Sequence, residues 1–85
     1  MSERTEINRQ LSENARSSDA CVTAARGLRS RIIAAVQGET LETLALLDAA
    51  ALGALCAELQ LVAQRARELN RERGELQAQL INARA

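Results

Sequence analysis

The apolar residues of this chain fall into two runs of heptad spacing separated by a single turn signal, a pattern that leaves few folds open. In the first run Ile7, Leu11, Asn14, Ser18, Cys21, Ala25, Leu28, Ile32 and Ala35 alternate steps of four and three. In the second, Leu52, Leu55, Leu59, Val62, Ala66, Leu69, Arg73, Leu76 and Leu80 do the same. Each set lies along one stripe of one helix, and the stripes meet if the chain folds back on itself. The expectation is an all-α fold: a long antiparallel helical hairpin, coiled-coil-like, associating into a helical bundle. Residues 1–85 form one domain in this reading, with a helix over about 3–37, a turn at 38–40 and a helix over about 41–82.

Local signals support those limits. Ser2 can cap the first helix, with Glu3 in the first turn where the macrodipole favours negative charge. Gly38 is a natural left-handed residue to end it, and Thr40 can cap the helix that follows. A second boundary is available, with Asp48 as the N-cap and Leu41 to Leu47 as a separate helical turn, but the continuous helix is the preferred reading. Folding about Glu39 sets Ile32 level with Leu47, Leu28 with Leu52, Ala25 with Leu55 and Cys21 with Leu59. It also brings Gly27 towards Gly53, where a close backbone approach would account for two glycines inside helices. Asn14 and Ser18 occupy core-type positions opposite Val62 and Ala66, so looser packing is expected at the end away from the turn. Polar residues at such positions can also specify register or oligomeric state.

Composition narrows the function classes. The chain has no Phe, Trp, Tyr, Pro or His, which removes histidine base chemistry, the commonest metal ligand and aromatic stacking on nucleic-acid bases. Its eleven basic residues are all arginine and are balanced by eleven acids, so it lacks the positive field that phosphate backbones attract, and no nucleic-acid partner is expected. Cys21 and Cys56 lie thirty-five residues apart without a histidine, which fits neither an ordinary zinc site nor a redox pair. They read as reduced, buried small hydrophobes, and no metal or other cofactor is expected. No uncharged run approaches the ~20 residues of a membrane span, and Met1 to Gln10 does not resemble a signal peptide. A cytoplasmic protein without enzymatic activity is the expectation, since no nucleophile, base and orienting group can be named together.

The seam does not use up the apolar residues. Val22, Ile33, Val36, Leu46, Ala50, Ala57 and Leu61 lie off the main stripe and gather towards the turn. Contiguous apolar surface of that kind marks an interface, and burying a few leucine-sized side chains there contributes several kcal/mol at about 25 cal/mol per Å². These residues are the candidate partner-binding site, for a helix of another protein, for a second copy of the chain, or for both. The charges do the opposite job: Glu13 with Arg16, Glu68 with Arg71 and Arg71 with Glu75 stand at helical spacing on a solvated face.

From Leu28 to Leu80 the chain resembles flagellar type III export chaperones of the FlgN and FliT kind. The stretch Ala35-Val36-Gln37-Gly38-Glu39-Thr40-Leu41-Glu42-Thr43-Leu44 is similar to that family's turn, and Leu52, Leu55, Leu59 and Val62 to its long second helix. Glu68-Leu69-Asn70-Arg71-Glu72-Arg73-Gly74-Glu75-Leu76 is similar to its Asn-x-x-Asn-Gly neighbourhood, with Arg73 where the second Asn would stand. The resemblance implies a small cytoplasmic chaperone that binds an amphipathic helix of an export substrate. The other reading is a structural module in which the same apolar residues close a homo-oligomeric bundle with no client.

Overall fold

The computed structural model describes residues 2–38 and 40–84, with the side chain of Arg84 set aside. Met1, Ala85 and Glu39, the centre of the expected turn, lie outside the described residues. Three helices follow in order: α1 (Glu3–Val36), α2 (Leu41–Ala45) and α3 (Ala49–Arg84). Among them only α1 and α3 pack against each other, giving an antiparallel hairpin of 65 × 16 × 14 Å in Cα extent. The hairpin read from the two heptad stripes is therefore the fold.

α1 starts where its cap dictates. The Ser2 hydroxyl accepts the Thr5 amide at 3.2 Å, and Glu3 and Glu6 stand in the first turn. The helix ends differently from the expectation. No described glycine has positive φ; Gln37 adopts an extended conformation (φ −68, ψ 105) and its amide donates to the Ile33 carbonyl. A Cβ at Gly38 would stand 2.9 Å from the Cδ2 atom of the exposed Leu44 side chain, which would have to turn aside.

The second helix is not continuous. Thr40 and Thr43 form a reciprocal cap: the Thr40 hydroxyl accepts the Thr43 amide at 3.2 Å and the Thr43 hydroxyl accepts the Thr40 amide at 3.1 Å. The turn thus begun lasts only five residues. The Leu46 and Leu47 amides close onto Thr43 and Leu44 by three-residue steps, and the Asp48 carboxylate then takes the Ala51 amide at 3.0 Å, starting α3 afresh. The expected helix over 41–82 is thus a short α2 and an α3 that runs on to Arg84, because Asp48 gains more as an N-cap than as an interior helical residue.

That break resets the register. Asn14, expected opposite Val62 or Ala66, instead donates its amide to the Leu69 carbonyl at 2.9 Å, because the connection consumes more residues than a tight turn at 38–40. Gly27 and Gly53 do not face each other in close approach: a Cβ on either would meet nothing within 4 Å. The packing gradient is also the reverse of the expectation. Ile7, Asn14, Leu69 and Leu76 are buried at the end far from the turn, joined nearer the turn by Leu28, while every described residue from Thr40 to Ala51 is exposed.

Of the expected ion pairs, Arg71–Glu75 forms at 3.9 Å. Glu13 pairs with Arg9 and Glu68 with Arg65, in place of Arg16 and Arg71. All are exposed pairs that support the helices weakly.

Candidate functional site

Small side chains at seam positions leave a groove midway along the hairpin. Cys21, Val22 and Ala25 from α1 and Leu59, Val62, Ala63 and Ala66 from α3 line a depression of about 370 Å³, closed at one end by Ser18, Leu69, Asn70 and Arg73. Facing leucines would fill such a space; cysteine and alanine leave it open. Arg73 donates to the Asn70 side-chain oxygen at 2.8 Å at the polar end of the groove. Val22 stands on its wall at 49% exposure.

The seven residues of the candidate partner surface are exposed, but they do not form one patch. Val22, Ile33 and Val36 share a stripe of α1, being eleven and fourteen residues apart. Ala50, Ala57 and Leu61 share a stripe of α3. Leu61 lines recesses with Ala20, Ala24 and Gly27, on the other side of the seam from Val22. The sidedness follows from helical rotation. In an antiparallel pair, residues that directly follow a seam residue fall on the same side in both helices, and residues that directly precede one fall on the opposite side. Val22 follows Cys21 and Ala63 follows Val62, whereas Leu61 precedes Val62. Leu46 lies beyond both, at the turn end, with Leu41, Leu44 and Leu47. Spacing places Ala25 and Ala66 in the seam but not as groove residues, and the small side chains at successive seam positions are the signal that marks the groove; Ala63 and Asn70, each directly after a seam residue, are not singled out by it.

Reactive chemistry is sparse. No group of three His, Cys, Asp or Glu side chains among the described residues could hold a metal ion. Both cysteines are free, and neither is buried as expected: Cys21 is half-buried in the seam and Cys56 is exposed. Among the described residues Glu6 is the one carboxylate with a clear shift: its hydrogen bonds from Arg9 hold it below the usual range, and Arg9 is raised in return. Both belong to a solvated helix face. No described helix is long and apolar enough to cross a membrane.

Compared with known protein families, with curated proteins and with solved structures, the chain matches none.

Proposed function

We propose that this chain is a small cytoplasmic helix-binding protein of the type III secretion chaperone kind, with no enzymatic activity. The groove between α1 and α3 receives the apolar face of an amphipathic helix from an export substrate, laid along the seam as the third helix of a bundle. The observation that carries this reading is the groove itself: an apolar trough of about 370 Å³ with a single charged group, Arg73, at one end. Bulky aliphatic side chains of a client would fill the space that Cys21, Ala25, Ala63 and Ala66 leave open, and an acidic residue one or two turns along would meet Arg73.

The test is calorimetric titration of synthetic peptides copying the terminal helices of exported proteins into the wild-type chain and into Ala63→Arg, which plugs the groove from an exposed edge. One-to-one binding lost in Ala63→Arg, with helicity by circular dichroism unchanged, is the expected result. Binding that survives the plug places the client elsewhere, and no binding by any such helix removes the chaperone reading.

A further inference from the structure

We propose that the turn end of the hairpin is covered by a second copy of the same chain, docked antiparallel so that the acidic tip of each copy lies beside Arg26 and Arg29 of the other. The contact lies on the turn side of the client groove and reaches its near end beside Ala25.

Three observations carry it. The first is the amount and place of uncovered apolar surface. Ile33, Val36, Leu41, Leu44, Leu46 and Leu47 are all exposed, between 45% and 82%, at one end of the rod. The second is area. The chain exposes 6555 Å², whereas a compact monomer of 9.2 kDa exposes about 4,900 Å². The excess is about twice the ~800 Å² that each partner contributes to a stable interface. The excess belongs to the whole rod, and the exposed aliphatic residues place a share of it at the turn end.

The third is charge, which selects a copy of this chain over another apolar helix. Between Ile32 and Gln64 the only charged residues are acids, Glu39, Glu42, Asp48 and Glu58. Just before this stretch stand Arg26, Arg29 and Arg31, and the first two lie on the same exposed stripe as the apolar residues: Val22, Arg26, Arg29, Ile33 and Val36 follow steps of four, three, four and three. None of the ion pairs among the described residues involves Arg26, Arg29, Glu42 or Asp48. A two-fold axis beside Ile33 makes the contact self-complementary. At about 1.5 Å per residue, Arg29 and Arg26 stand about 6 and 10 Å from that axis on one side. The register that sets Asn14 level with Leu69 puts Asp48 level with Ala35, about 3 Å beyond Ile33 and within side-chain reach of Arg29 of the second copy, with Glu42 in α2 on the tip, while Ile33 of the two copies meets at the centre. Such pairs fix orientation more than they add affinity, so reversing them should weaken the dimer and exchange its partners.

The experiment is a charge swap read by light scattering over a concentration series under reducing conditions. Wild type is expected at twice the mass of one chain. Arg26→Glu/Arg29→Glu, and separately Glu42→Arg/Asp48→Asn (which keeps the α3 cap), are each expected to raise the dissociation constant about tenfold or more with helicity unchanged. Mixing the two variants restores opposite charges at three of the four contacts, the asparagine at position 48 leaving the fourth neutral, so a heterodimer tighter than either homodimer should form. A wild-type chain that is monomeric throughout overturns the proposal. Two folded variants that self-associate like wild type, or whose mixture fails to associate, overturn this arrangement of the copies.

Discussion

Asn14 is the residue on which the alignment of the two helices rests. It is 2% exposed, yet its amide is fully used: it donates to the Leu69 carbonyl at 2.9 Å and to the Glu72 carboxylate at 3.1 Å, while its oxygen accepts from Ser18. A buried amide with partners in one register and none in neighbouring ones penalises sliding, since a slip would strand it without hydrogen bonds. Asn14→Asp should be strongly destabilising, by about 3 kcal/mol or more at neutral pH, because it buries a carboxylate against a carbonyl oxygen and the carboxylate of Glu72. Such an aspartate would have its folded-state pKa raised. The penalty should therefore fade as pH falls through that raised value, and a denaturant melt repeated from neutral to acidic pH reads it directly. Glu6 behaves in the opposite sense. Its pKa is lowered in the folded chain by Arg9, so its contribution is present above the unfolded value and is lost as pH falls through the folded one. Glu6→Gln should flatten the acid limb of the thermal midpoint slightly, and an unchanged limb would show that the Arg9 contact is not maintained in solution.

At the scale of the elements, the glycines inside the long helices serve no packing purpose. A Cβ at Gly27, Gly53 or Gly74 would meet nothing within 4 Å, so alanine there removes backbone freedom from the unfolded chain without a clash. Each of Gly27→Ala and Gly53→Ala should stabilise by about 0.5–1 kcal/mol, measured by chemical denaturation. A loss of stability at Gly27 would mean that another chain approaches α1 there. The long helices themselves were legible from spacing: a stripe of apolar residues at steps of four and three has one helical solution, and Ser2 and Thr40 mark starts by a hydroxyl chemistry that depends only on neighbours in sequence. The register was not legible, because it depends on how many residues the connection consumes. That number was settled by a local contest at Asp48 between capping a new helix and continuing an old one, whose outcome periodicity does not weigh. The exposure of the candidate surface residues followed from their lying off the stripe. Its division into two sides was implicit in whether each residue precedes or follows a seam residue, a distinction that counting apolar residues overlooks.

For the whole molecule, the distribution of burial separates what holds the hairpin together from what it offers to others. Among the described residues the buried aliphatic ones are Ile7, Leu28, Leu69 and Leu76, and of these only Leu28 lies towards the turn. The large exposed aliphatics gather instead around the turn, with Val22 and Leu61 on opposite sides of the seam and Ile81 near the far end. A rod with so few buried side chains has little stability in reserve, since short chains bury a smaller share of their surface than larger domains do. Leu69→Ala, at 2% exposure, should therefore remove about 2–5 kcal/mol and unfold much of the population, seen as lost helicity at room temperature. Leu46→Ala, at 82% exposure, should leave the stability of the single chain within about 0.5 kcal/mol when measured at high dilution. At higher concentration it should lower the thermal midpoint relative to wild type, because what it weakens is association and not the hairpin. If Leu46→Ala instead destabilised the dilute chain as much as Leu69→Ala, the turn end would be part of the hairpin's own core, and its aliphatic residues would not be free for another chain.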